Sequence, residues 1–502
     1  MLSHHASDPL QPLSVSNPEI TSINTTIAQI DADILDLQRK RFSWLRRLND
    51  LQASTRVLPL EVLSIIFEAV AQSASPSRTP SGTLGPKALQ ALRLGAVCSQ
   101  WRSVARSTPS LWTDIIVPTS ITPSYVHLFN LQYNNASGHP VAIHFKNLDN
   151  SNPLSKEIAS IIFQKHTERL GSLTMSQNEH VSWPSLISDF EATSFPRLRS
   201  LHLTYHRRKQ PRSDVAVPHC PELRELHLEG ETDWLAFPFP WSQITTLKLS
   251  SMTASHTLKL ILQCPHLHEL HCTSIHNDLV NVPPPQEVIE MTNLENIDWD
   301  GAMPNTLLTH VGCPALRQLT WGVRPSPPRD SSRQFLSHMK HLSTFNIRYD
   351  SSDITEMLDA MPSIRTIRLL SYTNSKYVTD LLRHLTITKT ISHAPLLETI
   401  SVTDCEILDE QSMMEAVTQM LISRWRLRGR PSIGMGRSLR SFSLDYGSVG
   451  EQMNWSWLEK TVHRGYGEIR IASQEVKAPW LEPVKDGQGV TDVHTGKSFS
   501  LN

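Results

Sequence analysis

The chain repeats a short pattern, Leu-x-x-Leu-x-Leu, through most of its length. Copies read Phe195-Pro-Arg-Leu198-Arg-Ser-Leu201-His-Leu203, Cys220-Pro-Glu-Leu223-Arg-Glu-Leu226-His-Leu228, Ile244-Thr-Thr-Leu247-Lys-Leu249 and Cys264-Pro-His-Leu267-His-Glu-Leu270-His-Cys272. Further copies start at Leu294, Leu316, Leu342, Ile364, Leu397 and Leu439, and Leu170-Gly-Ser-Leu173-Thr-Met175 reads as a first one. Most spacings are 21 to 28 residues, and the last two lengthen to 33 and 42. Apolar residues two apart share one face of a strand. No single copy can bury that face, whereas copies stacked in parallel bury it continuously. The stretches between copies carry helical spacing, as in Leu258, Ile261 and Leu262 or Ile354, Met357, Leu358 and Met361.

This period matches leucine-rich repeats. The expected fold class is therefore α/β, a right-handed solenoid shaped as a horseshoe with parallel strands on its concave face. The residue between the two closing apolar positions must then point away from the core. In order these are His202, His227, Lys248, His271, Asp298, Thr320, Asn346, Arg368 and Ser401. The column two residues earlier runs from Ser200 and Glu225 to Thr366 and Thr399. Such a face is polar and mixed in charge, suited to a protein target. His202, His227, Lys248, His271, Asp298 and Arg368 are the candidate target-binding residues.

With 502 residues, the chain exceeds what one compact core holds. Its 47 basic and 48 acidic residues give a net charge of −1, which offers no general attraction to nucleic acid or to an anionic membrane. The first ten residues lack the basic-then-apolar pattern of a signal peptide, and no apolar run reaches the length of a membrane span. Six cysteines spread over such a chain read as reduced thiols, and the expected location is cytoplasm or nucleus.

Residues 1–18 show no periodicity and read as a disordered tail. Then Ile20, Ile23, Ile27, Ile30, Ile34, Leu37, Arg41, Trp44, Leu48 and Leu51 step by three and four in alternation. That is an a/d seam, and residues 19–53 are expected as a heptad-patterned helix. The stem of Arg41 can lie along the seam while its head reaches water. The helix either folds back on its own chain or self-associates through residues 20–51.

After it comes Leu58-Pro59-Leu60-Glu61-Val62-Leu63-Ser64-Ile65-Ile66-Phe67, and later Leu94-x-x-Val97-Cys98-x-x-Trp101-Arg102 and Leu111-Trp112. Pro59 suits a first helical position, because its fixed φ is helical and its missing N–H would be unpaired there. Val62, Leu63, Ile66 and Phe67 are expected to share one face, as are Val97, Trp101 and Val104. Pro109 ends the second helix. These motifs resemble the F-box, a helical module spanning 56–115 here. The resemblance implies a Skp-type adaptor as partner, and through it a cullin–RING ubiquitin ligase. It also implies that Leu58, Pro59, Ile66, Val97, Cys98 and Trp101 carry the docking. The stretch 73–87 reads as an inserted loop rich in Ser, Pro and Gly, and it is similar to long loops in mushroom-type fungal F-box proteins.

The remaining organisation is expected as a linker or solenoid start at 116–165, repeats at 166–450, a C-terminal cap at 451–484 and a disordered tail at 485–502. Cys264, His266, His268, His271, Cys272 and His276 lie close in sequence but on opposite strand faces, so they cannot close one zinc tetrahedron. Gly434-Met435-Gly436 lacks the third glycine of a dinucleotide fingerprint. Arg207-Arg208-Lys209 and the stretch from Arg424 to Arg430 read as solvated loop charges. No nucleophile–base motif appears, and no metal or cofactor is implied. The expected function is a non-catalytic substrate receptor that recruits a target unidentified by sequence. The alternative is an interaction scaffold outside ubiquitination that assembles through the N-terminal helix.

Overall fold

A computed structural model describes residues 18–52, 58–73, 85–146, 153–165, 167–176, 194–205, 219–276, 278, 289–303, 305–323, 329–348, 354–370, 375–388, 393–405, 410–425, 439–446, 468–473, 490–492 and 497–499. The tail 1–17, most of the 73–87 insertion, Arg207 to Lys209, and Trp455, Trp457 and Trp480 lie outside the described residues. The chain divides into two units, residues 1–114 with 131–139, and residues 115–130 with 140–502.

The first unit is helical. It holds α1 (Pro18–Gln52), α2 (Leu60–Ser73), α3 (Pro86–Gly95) and α4 (Ser99–Ser107). Leu63, Phe67 and Ala71 step by four along α2 and are buried, together with Ala88, Ala91, Val104, Ala105, Leu111 and Trp112. Pro86 opens α3 at a position where its absent N–H costs nothing. Trp112 Nε1 donates to the Ala105 carbonyl at 2.7 Å, so the largest buried ring leaves no polar atom unpaired.

The second unit is built on a 16-stranded sheet in which spatial order follows chain order. Its first strands are β1 (Asp114–Val117), β2 (Val141–Lys146), β3 (Leu170–Ser176), β4 (Ser200–Thr204), β5 (Glu225–Glu229) and β6 (Thr246–Ser250). They continue as β7 (Glu269–Ile275), β8 (Asn296–Gly301), β9 (Gln318–Val323), β10 (Thr344–Ile347), β11 (Thr366–Leu369) and β12 (Thr399–Cys405). The last are β13 (Ser441–Tyr446), β14 (Glu468–Ser473), β15 (Val490–Asp492) and β16 (Lys497–Phe499). The nine strands from β4 to β12 stand on the copies read from sequence and pair in parallel. The segment 116–165 already contributes strands, and the segment from 485, expected to be disordered, supplies β15 and β16. Alternation in those two strands is too short to read against a background of polar residues.

Most copies begin with a turn whose first residue is buried, as Phe195, Cys220, Cys264, Cys313 and Met361 are. The N–H three residues on closes the turn, for example Leu223 onto Cys220 at 3.2 Å and Leu267 onto Cys264 at 3.2 Å. Proline follows the buried residue in these five, where its fixed φ suits the second position of a turn. The closing leucines then fill the core: Leu226, Leu228, Leu247 and Leu249 have no exposed surface. Gly230 follows β5 at φ +108°, and a Cβ there would sit 1.8 Å from the Tyr205 carbonyl oxygen of the preceding copy. Only glycine fits that approach.

Helices connect the later strands, including Glu410–Trp425, which carries Arg424 near its end. The sequence reading placed Arg424 in a solvated basic loop; it is fully buried instead. Its guanidinium donates to the carbonyls of Leu385, Ala394 and His393 at 2.9, 3.3 and 2.8 Å. Burial lowers its pKa to about 10. The run of arginines concealed this, because composition cannot distinguish one buried member from its neighbours. Arg424→Met keeps most of the volume but leaves three carbonyls short of a donor. It is expected to lower the unfolding free energy by about 3 kcal/mol, as read from denaturant titration.

Candidate functional site

Two surfaces stand out, one on each unit. The first lies on α2. Its inner stripe is the buried set Leu63, Phe67 and Ala71. Its outer surface is also apolar: Leu60, Val62, Ile65, Ile66 and Val70 are 39 to 65% exposed. A helix apolar on both sides is normally covered on both. The expected single cluster of Val62, Leu63, Ile66 and Phe67 is therefore split. Leu63 and Phe67 make the core, and Val62 and Ile66 face out.

The second half of the motif divides in the same way. Val104 is buried while Val97 is 53% exposed. Cys98 has extended backbone and caps α4, its Sγ accepting the Trp101 N–H at 3.4 Å. Trp101 is half-buried and packs its ring on Phe67, centroids 5.0 Å apart at 58°. Of the six candidate docking residues, Pro59, Ile66 and Val97 are exposed, and Leu58, Cys98 and Trp101 are half-buried. Leu60, Ile65 and Val70 join the exposed surface without having been singled out. Their signal was present, since α2 has few polar positions at helical spacing between residues 60 and 71.

The second surface is the outward row of the sheet. Neighbouring strands align His202 with His227, His227 with Lys248, Lys248 with His271 and His271 with Asp298. The register continues from Asp298 to Thr320, Asn346, Arg368 and Ser401. Most of the row is half-buried, because adjacent side chains cover one another. His202 and His227 stack with ring centroids 3.7 Å apart and planes 10° from parallel. Lys248 pairs with Glu225. Asp298 takes Arg348 at 2.8 Å and lies 3.7 Å from His271. Thr320 and Asn346, expected to be exposed, are buried. The Asn346 amide donates to the Thr320 hydroxyl at 3.0 Å between strands, while Asn346 Oδ1 is buried without a partner among the described residues. Arg368 is the exposed member of the six candidate target-binding residues.

Electrostatics in this row follow from its burial. Desolvation lowers the pKa of His227 to about 4, and the neighbouring His202 adds to the shift. His202 is also lowered by desolvation, against the pull of Glu229. Burial pushes the Glu225 carboxyl up, but the Lys248 hydrogen bond and charge outweigh it and leave it below its ordinary value.

Four of the thiols, those of Cys220, Cys264, Cys272 and Cys313, occupy core slots. Cys264 and Cys272 are buried while His266, His268 and His276 are exposed, so the sequence cluster is not a cluster in space. Burial pushes the thiols of Cys220, Cys264 and Cys313 up to about 12 and that of Cys272 well up, which withholds the thiolate needed by a nucleophile or a metal. Among the described residues, Asp359, His384 and His393 bring ligand atoms within 4.8 Å of one another and could hold a cation. Asp359 Oδ1 lies 3.1 Å from His384 Nε2 and 2.5 Å from His393 Nδ1. With imidazole N–H groups donating there, the carboxylate is satisfied without an ion. A groove of about 680 Å³ among the turns is bordered by Arg317, Lys340, His341 and Arg365, the last lying 3.9 Å from Glu398.

The histidine stack generates a pH dependence. An unfolded histidine takes up its proton near pH 6.5, whereas His227 resists until about 4 and His202 is held below its ordinary value. Between those limits the unfolded state binds more protons, so the contribution to stability is complete above about 6.5 and falls as pH falls. Thermal melting is expected to drop between pH 7 and pH 5, and to drop less in His202→Gln/His227→Gln. An equal drop in both proteins would remove the stack as the cause.

Residues 55–117 match the family model described as F-box-like. No curated protein matches the sequence. Among solved structures, the chain aligns with one titled "Crystal structure of Rad7 and Elc1 complex in yeast", at 12% identity and a TM-score of 0.31, over 86% of this chain and 96% of that one. A likeness of that size carries no argument about fold or function. No described helix is long and apolar enough to cross a membrane. The outward apolar surface of α2 thus lies within an F-box-like domain at residues 55–117.

Proposed function

We propose that the chain is a non-catalytic substrate receptor of a cullin–RING ubiquitin ligase. Its F-box-like domain docks on a Skp-type adaptor. The repeats are of the leucine-rich class, and their strands line the inner face of a horseshoe that captures a target protein. The observation that carries this reading is the exposed apolar surface of α2, with Ile65 at 65% and Leu60 at 53%. A domain that already buries Leu63 and Phe67 gains nothing by exposing five large side chains beside them unless a partner covers them. Fully covered apolar anchors are the residues that dominate binding energy. The polar row of the sheet supports target capture through matched charges and hydrogen bonds. The contribution to ubiquitin transfer is proximity.

The second reading, an interaction scaffold outside ubiquitination, is favoured by the exposed seam of α1. Co-purification with a Skp-type adaptor separates the two. Ile65→Asp/Ile66→Asp changes exposed positions, so folding should persist. Adaptor affinity is expected to fall about a hundredfold or more. Leu58→Ala/Pro59→Ala should weaken it less. Wild-type protein that is folded and does not bind the adaptor would leave the scaffold reading in place.

A further inference from the structure

Every described side chain of α1 from residue 18 to 48 is exposed. Ile20, Ile23, Ile27, Ile30, Ile34 and Leu37 lie open to water at 46 to 64%, and Trp44 and Leu48 at 66 and 49%. A strip of this kind, repeating every three and four residues, is the seam of a coiled coil. We propose that a second copy of this chain covers it, and that the two α1 helices run antiparallel.

Charge decides the occupant and its direction. Asp31 and Asp33 lie in the N-terminal half of the helix, Asp36 just past its middle, and Arg39, Lys40, Arg41, Arg46 and Arg47 in the C-terminal half. An antiparallel pair sets each acidic half against a basic one. With Ile34 opposite the second copy's Leu37, the other layers fall into place. Ile27 meets Trp44, Ile23 meets Leu48, and Ile30 meets Arg41. Asp33 and Lys40 border the same side of the seam and face each other twice, once at each symmetry-related position. The Arg41 stem lies over the second copy's Ile30, and its head reaches that copy's Asp33. The reverse arrangement is poor. A parallel pair stacks Arg41 on Arg41 and places Asp33 beside Gln38 and Lys40 beside Leu45, with no opposite charges in contact.

In the single chain Lys40 holds Asp36 at 2.8 Å, and Asp33 accepts the Gln29 amide at 3.0 Å. Exposed contacts of this kind are readily exchanged. A helix of 35 residues is about 50 Å long, so the two chains leave an antiparallel pair at opposite ends. Each F-box-like domain then emerges away from the other, and one receptor pair could present two targets. The pairing does not depend on the adaptor reading: a chain that fails to bind the adaptor still carries the seam.

Sedimentation equilibrium on the full chain tests the proposal. The wild type is expected to be a dimer that dissociates on dilution. Ile27→Asp/Ile34→Asp should be monomeric with the melting of the remainder retained. Asp33→Lys should weaken the dimer about tenfold, and Asp33→Lys/Lys40→Asp should restore it, which guards against a variant that merely misfolds. For direction, I27C chains mixed with W44C chains should form a disulfide across the seam, and I27C chains alone should not. A monomer at all concentrations overturns the proposal. A dimer indifferent to Ile27→Asp/Ile34→Asp overturns the seam, and self-linking of I27C overturns the direction.

Discussion

One backbone contact recurs at nearly every step of the sheet and sets its geometry. The carbonyl just before a strand accepts two successive N–H groups from the next copy. Arg199 takes Arg224 and Glu225 at 3.0 and 2.9 Å, Arg224 takes Thr245 and Thr246 at 2.9 and 3.0 Å, and Thr245 takes His268 and Glu269 at 2.8 and 3.0 Å. His268, Glu295, Arg317, Ser343, Arg365 and Glu398 continue the series. Because the contact uses backbone alone, it tolerates any side chain. It also fixes register: a one-residue slip would break the pair and turn the leucines outward. The alignment of His202, His227, Lys248 and His271 in one row is a consequence of that fixed register rather than of attraction among those side chains.

Much of this was legible in the sequence. The closing leucines announced strands, and the residue between them announced the outward row, because a strand alternates strictly. Burial within that row was not legible. Thr320 and Asn346 share one hydrogen bond between strands, and nothing in a polar letter says that its neighbour will cover it. Arg424 escaped for a related reason: its three carbonyl partners come from residues 385 to 394, which no local pattern brings near a helix ending at Trp425. On α2, spacing alone could not separate Leu63 and Phe67 from Val62 and Ile66, since both sets recur at helical intervals. The division depends on where α3 and α4 pack.

Cys98 shows how a motif residue can act through structure rather than contact. Its sulfur caps α4 by holding the Trp101 N–H, and Trp101 then lies against Phe67. A chain of local effects, cap to helix to ring to core, supports α2 from behind and holds Ile65 and Ile66 on the opposite surface. On the proposed adaptor reading, substitutions at Cys98 and Ile66 would therefore act by different routes, one through order and one through lost contact.

The distribution of exposed apolar surface divides the labour of the chain. Every large apolar side chain that stands open among the described residues lies between Ile20 and Leu131. All of them belong to the helical unit. The sheet unit buries its leucines and offers hydroxyls, imidazoles and ion pairs. Apolar contact is strong and insensitive to salt, which suits assembly with constant partners. Polar and charged contact gives less affinity per area but discriminates strongly between wrong and right partners. A receptor of the kind proposed above needs both, and here they occupy separate stretches of sequence. The repeats can therefore change at Lys248, Asp298 or Arg368 without disturbing α1 or α2.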